Sequence, residues 1–223
     1  MEEGMVDVRR EDKTIREFEI PVQEFPYGFN GAIIDIKKVG IMRAGEPVTK
    51  DVDIVLTRNS HMLLAGPNGI GKTTLLERIA RGTAEGIAIG DGINVGYYRQ
   101  DFSTLDFEQT AYDCLWDVMK EPDNQELRAT AAGFLLDGKV LGNQIKYLSE
   151  GQKGLLQFCR LVLMGPGLLI LDEPTNHINF RHLPVIAEAL DQYEGAMILV
   201  SHIPDFVSQI RIDTTINLGT LIS

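Results

Sequence analysis

Cysteine is almost missing. Cys114 and Cys159 are the only two in 223 residues; they lie far apart, with no metal-ligand spacing around either. Both are expected to be reduced, buried thiols rather than parts of a disulfide framework or a metal site. No apolar run is long enough to cross a bilayer as a helix, and the opening MEEGMVDVRREDK is charged where a secretory leader would be apolar. A cytoplasmic chain is the expectation. Positive charge is also scarce: 21 Lys and Arg stand against 32 Asp and Glu, a net charge of -11. Attraction of the whole molecule to nucleic acid or an anionic membrane is therefore not expected. The nearest basic cluster, Arg9, Arg10 and Lys13, is interrupted by Glu11 and Asp12 and reads as a solvated charged face. Internal repeats and low-complexity segments are absent as well.

What remains is 44% hydrophobic and 24% charged, enough apolar side chain to bury a core in one large domain or in two lobes sharing one. The first 30 residues, charged and then extended around REFEIPVQEFP, read as a lead-in segment; residues 31–223 carry the domain. AIIDIKKVGI and VTKDVDIVLT alternate apolar and polar as half-exposed strands do, and HMLLAG is a short buried strand. The pattern then predicts a helix over 72–81, a strand in INVGYYRQ, helical periodicity over about 108–134 and a helix over 150–164 ended by GPG. Strand LLILD, a helix near Pro184, strand AMILV, a helix over about 204–210 and strand TTINL complete the chain. Such alternation indicates an α/β fold with a mostly parallel core sheet, interrupted by a helical subdomain at about 101–165.

Three stretches carry chemistry. GPNGIGKTT, Gly66 to Thr74, matches the phosphate-loop pattern G-x-x-x-x-G-K-[ST] between an apolar strand and a helix-forming run. Its glycines, with Pro67 and Asn68 between them, let successive backbone N–H groups turn inward on phosphate oxygens, and the helix N-terminus adds partial positive charge. Lys72 would then meet the β and γ phosphates of ATP, Thr73 would ligate Mg²⁺, and Gly69, Gly71 and Thr74 would complete the cradle. LLILDEPTNHINF, Leu168 to Phe180, ends a buried strand on Asp172 and Glu173. Two acids buried side by side are unfavourable unless a cation or a transferable proton shares the site. Asp172 is accordingly assigned to magnesium, directly or through water, and Glu173 to the water that attacks the γ phosphate. The third stretch, YLSEGQKGLLQFCRLVL, is on its own a helix start capped by Ser149.

Taken in order, phosphate loop, Gln100 after a strand, LSEGQ, LLILDEP and the pair Ser201–His202 resemble the ATP-binding cassette (ABC) ATPases from about Ile33 to the end. The resemblance implies a P-loop NTPase of ABC type, with an antiparallel β-subdomain and an inserted α-helical subdomain. It implies that Gln100 senses magnesium and the attacking water, and that His202 contacts the γ phosphate. Ser149 and Gly151, with Gln152, would grip the nucleotide of a second cassette. EPTNHI is similar to the motif of ABC-F proteins, soluble tandem cassettes that act on ribosomes, where transporter cassettes usually read EPTSALD. RREDKTIREFEIP likewise resembles the lead-in to a second ABC-F cassette.

Three departures from the family pattern stand out. Asn179 occupies the place of the D-loop aspartate, keeping size and hydrogen bonding while losing charge. Glu150 replaces a signature glycine, which would bring a carboxylate toward the partner's triphosphate. The region that usually stacks an aromatic ring on adenine falls near 41–43 without one, leaving Arg43 as the candidate for stacking. The expected function is a nucleotide-driven dimer clamp, built as a homodimer or with a complementary half, associated with the ribosome and translation. The nucleotide-binding subunit of an ABC transporter, docked on a separate membrane protein, is the first alternative. An ATP-binding module with little hydrolysis is the second.

Overall fold

The computed structural model describes residues 13–25, 27–29, 31–43 and 45–222, without the side chains of Arg43 and Ile222. Arg9 and Arg10 lie outside the described residues. The strands are β1 (Ile34–Arg43), β2 (Glu46–Leu56), β3 (His61–Ala65), β4 (Ile87–Ile89), β5 (Val95–Tyr98), β6 (Leu168–Asp172), β7 (Ala196–Val200) and β8 (Thr214–Asn217). The helices are α1 (Lys72–Ala80), α2 (Ala111–Trp116), α3 (Asn124–Gly133), α4 (Gly138–Leu141), α5 (Glu150–Met164), α6 (Leu183–Asp191) and α7 (Pro204–Val207). Five strands form a sheet in the order β5-β6-β7-β3-β8, every neighbouring pair parallel. A second sheet, β2-β1-β4, is antiparallel, with an irregularity of register between Ile36 and Lys38.

The parallel sheet is apolar on both faces because both are covered, as parallel sheets require. Alternate residues of one strand serve different cores. Leu168 and Ile170 of β6 and Ala196, Ile198 and Val200 of β7 pack with α1 and the antiparallel sheet. Leu169 and Leu171, with Met197 and Leu199, pack with α5, α6 and the helical subdomain. Each fully buried leucine or isoleucine here contributes about 1.5–3 kcal/mol relative to exposure. Cys114 and Cys159 are free and buried in the second of these cores, and burial pushes both thiols above their ordinary value.

Of the chain ahead of β1, residues 13–20 lie along the helical layer. Ile15 and Ile20 are buried, the Phe18 ring stands 4.7 Å from that of Phe134, and the Arg16 N–H donates to Gly133 O at 2.9 Å. The Gln23 side chain donates to Gly92 O at 3.0 Å and accepts from Asn94 N–H at 2.6 Å, fixing the entry to β5. Residues 13–25 of the lead-in are thus packed on the body through Ile15, Phe18 and Ile20.

Candidate nucleotide site

Parallel strands present all their carboxyl ends on one edge, where open α/β sheets bind ligands. Here β3 runs into the phosphate loop, β5 ends before Gln100, β6 ends on Asp172 and Glu173, and β7 ends before His202. The strand order sets β7 between β6 and β3, so His202 emerges between the acids and Lys72. All of them line one cleft of about 520 Å³, together with Asn68, Gly69, Gly71, Thr73, Thr74, Met42 and Asn176.

The phosphate loop has the left-handed turns its glycines allow, with φ of +144° at Gly66, +78° at Gly69 and +104° at Gly71. Gly71 precedes α1 without any side-chain cap, leaving the first helical N–H groups to face the cleft. Lys72 is buried and donates from Nζ to Gly66 O at 2.7 Å and Pro67 O at 3.1 Å. Its ammonium is therefore folded back over the loop, at the place where backbone N–H groups would hold phosphate oxygens. The loop is tied to β1 by the Met42 N–H, which donates to Ile70 O at 2.9 Å.

Asp172 is 3% exposed, and that burial pushes its carboxyl above the ordinary carboxylate range. The Thr73 hydroxyl hydrogen-bonds to it, and the charges of Arg99 and Lys72 pull the other way. A buried acid beside a hydroxyl of the phosphate loop is an oxygen donor pair of the kind magnesium takes. Among the described residues no group of three or more His, Cys, Asp or Glu converges as a closed cage. Glu173 sits at φ +51°, a strained value for a non-glycine residue, its N–H held by Val200 O at 3.0 Å. One carboxylate oxygen is 3.1 Å from His202 Nε2 and the other accepts the His202 N–H at 3.3 Å. The acid and the histidine are brought together across two adjacent strand ends.

Ser149, Gly151 and Gln152 sit apart from this cleft, at the start of α5. Ser149 Oγ accepts from the Gln152 N–H at 3.2 Å, and Gln152 Oε1 accepts from the Ser149 N–H at 2.9 Å, a reciprocal capping box. Glu150 is turned onto its own chain, with Oε2 2.8 Å from His177 Nδ1. Asn179 Oδ1 accepts from the Arg181 N–H at 3.2 Å and caps the short turn Phe180–His182. The Arg43 side chain lies outside the described residues.

Two residues beside the site carry contacts that the sequence motifs do not announce. Gln157, 2% exposed on α5, donates from its amide to Arg99 O at 3.0 Å and accepts from Arg99 N–H at 3.1 Å and Thr104 Oγ at 3.0 Å. It binds the segment carrying Gln100 to the helix that begins with LSEGQ. A lone polar residue inside the apolar run LLQFC is the signal that marks it. His177, at φ +66°, sets its ring 5.5 Å from that of Phe102 and meets Glu150, joining the loop after β6 to α5.

Strand, phosphate loop, helix, and an acid pair two strands away define a P-loop nucleotide-binding domain. A family model described as ABC transporter matches residues 49–176, more than half of the chain. The chain belongs to this family of ABC ATP-binding cassettes. It is 30% identical over 202 residues to the uncharacterized ABC transporter ATP-binding protein YfmM of Bacillus subtilis (strain 168), covering 88% of this chain and 39% of YfmM. It is 32% identical over 182 residues to the ATP-binding protein Uup of Escherichia coli (strain K12), covering 78% of this chain and 29% of Uup. The chain thus spans well under half the length of these curated relatives. Among solved structures, the ATP-binding subunit of an ABC transporter superposes with TM-score 0.67 at 21% identity, over 84% of this chain and 87% of that one. The cassette MJ0796, a dimer in a post-hydrolysis state bound to ADP and Pi, gives 0.64 at 18% identity, over 83% and 95%. At such identities the likeness concerns the fold. Among the described residues no helix is long and apolar enough to cross a membrane.

Proposed function

We propose that the chain is a magnesium-dependent ATPase cassette acting as half of a nucleotide-driven clamp. ATP lies with its triphosphate on the N–H groups of 66–74 and its charge met by Lys72. Asp172 and Thr73 would hold Mg²⁺, which supplies charge neutralisation at the β and γ oxygens. Glu173 accepts the proton of the attacking water while His202, 3.1 Å away, orients the carboxylate and reaches the γ phosphate. Gln100 lines the same cleft and completes the water's surroundings. The observation carrying this reading is the convergence of Lys72, Asp172, Glu173 and His202 on one cleft from three strand ends.

The capped start of α5 stands outside that cleft, and a second cassette facing the first head to tail brings its Ser149 and Gly151 to the γ phosphate. Loss of that phosphate then opens the pair. The dimer of MJ0796 with ADP and Pi supports this arrangement by analogy of fold. The EPTNH resemblance supports an ABC-F-like, ribosome-associated role, and the likeness to the ATP-binding protein Uup supports the ATP-binding part of it. Glu173→Gln is expected to bind ATP as the parent does while steady-state phosphate release falls by about 10²–10⁴-fold. Undiminished turnover would remove Glu173 from the role of base. ATP-dependent co-sedimentation of that variant with ribosomes supports the ABC-F reading, and recovery with membranes supports the transport alternative.

A further inference from the structure

The phosphates of the bound nucleotide are amply served, but its base is not. The cleft is lined by Met42, Asn68, Thr73, Gln100 and their neighbours with no Phe, Tyr or Trp among them. The adjoining hollow between β1, β2 and α1, formed by Ile41, Met42, Pro47 and Val48, contains no aromatic ring either. Among the described residues lining these two hollows, a purine therefore meets no aromatic ring.

An exposed ring exists elsewhere. Tyr147 is 73% exposed, one of the few strongly exposed rings among the described residues together with Tyr27 and Phe180, and it alone stands two residues before the capping Ser149. It ends the short turn Ile145–Tyr147, and Leu148 and Ser149 follow in extended conformation, with ψ of 144° and 159°. Leu148 is buried and anchors the segment, so the ring has a fixed base. Lys146 Nζ lies 5.4 Å from the Tyr147 ring centre and 2.6 Å from Glu108 Oε2, holding a cation beside the ring. Two extended residues span roughly 7 Å. The tyrosine's own length adds to this, carrying the ring from Ser149 to the distance at which a base hangs from its triphosphate.

We propose that Tyr147 of one copy stacks on the base of the nucleotide held by the other, supplying an aromatic ring where the described lining of the nucleotide's own cleft presents none. The inference rests on the head-to-tail reading above and adds to it the residue that recognises the base. Base stacking on an aromatic ring is favourable and tolerant of base identity, so ATP and GTP should close the pair with similar efficiency. The stacking forms only on closure. Tyr147 consequently governs the ATP concentration needed to close, and leaves the affinity of the single copy for ATP untouched.

Sedimentation velocity of Glu173→Gln across an ATP titration with magnesium gives the concentration of half-dimerisation. Adding Tyr147→Ala is expected to raise it about tenfold, and Tyr147→Trp to restore it. ATP affinity at protein concentrations too low for dimerisation is expected to be equal in all three. Closure of the alanine variant at the parent's ATP concentration overturns the proposal. So does a loss of single-copy affinity, which would make Tyr147 merely structural. If Tyr147→Ala closes normally but loses affinity for a single-stranded RNA oligonucleotide, the ring belongs to nucleic acid instead. Failure of Glu173→Gln itself to dimerise with ATP would sink the head-to-tail reading and this inference with it.

Discussion

Asp172 is a carboxylate kept where an uncompensated charge is unfavourable: 3% exposed, pushed up by burial, relieved only in part by Thr73, Arg99 and Lys72. Its raised value means that the nucleotide-free fold is strained by the ionised form. Asp172→Asn, of the same size and still able to accept from Thr73, is expected to raise the Tm of the nucleotide-free protein and to weaken magnesium-dependent ATP binding. A lowered Tm would show the carboxylate to be stabilising as it stands. Glu173 shows a different kind of strain, at φ +51° with its carboxylate held by the side chain and backbone of His202. The motifs mark Lys72, Asp172 and Glu173 from residue type and strand context, whereas His202 is marked only through the family resemblance. The contacts of Gln157 and His177 were not readable, since their partners, Arg99 and Glu150, lie at distant places in the sequence.

At the scale of elements, the long apolar runs gave themselves away. LLILD and AMILV form β6 and β7 with the expected bounds, and α5 covers 150–164 as its cap and its glycine end require. Short elements did not: β4, of three residues, exists only by pairing with Ile34 to Ile36 of β1, and α4 is a single turn capped by Asp137. The helix expected over 204–210 stops at Val207. Neither an apolar period nor a propensity sum marks segments this brief. Close packing between elements rests on Gly96 of β5, where an added Cβ would stand 2.7 Å from Leu161 Cδ2 and 2.8 Å from Pro166 Cγ. The proline ring cannot swing aside. Gly96→Ala is expected to cost about 1–3 kcal/mol by separating β5 from α5, read as a lower denaturation midpoint with unchanged slope. Stability equal to the parent would mean that this contact is loose.

At the scale of the whole molecule, the sheet is clamped between two apolar layers, and its lower edge is secured by His61. That side chain is fully buried, with Nε2 2.8 Å from Tyr193 O and Nδ1 3.0 Å from Arg211 O. Burial holds its imidazole below the ordinary 6.5, with the Arg211 charge acting in the same direction and the carbonyl contacts and Asp213 opposing. His182 is lowered too, by burial and then by Arg181. Below 6.5 the unfolded chain binds protons at both positions that the folded chain does not. Their effect on stability is therefore nil well above that pH, turns unfavourable as pH falls through 6.5, and levels off once pH is below the lowered folded values. Denaturation midpoints should drop between about pH 7 and pH 5.5; a constant or rising midpoint would contradict the assignment. The central claim is that one triphosphate is held where β3, β6 and β7 end. Calorimetric titration of the purified chain with ATP and magnesium measures it most directly. Saturable binding at one site per chain, weakened by chelating the magnesium and lost in Lys72→Ala, is the result predicted; absent binding, or binding undiminished in Lys72→Ala, would contradict it.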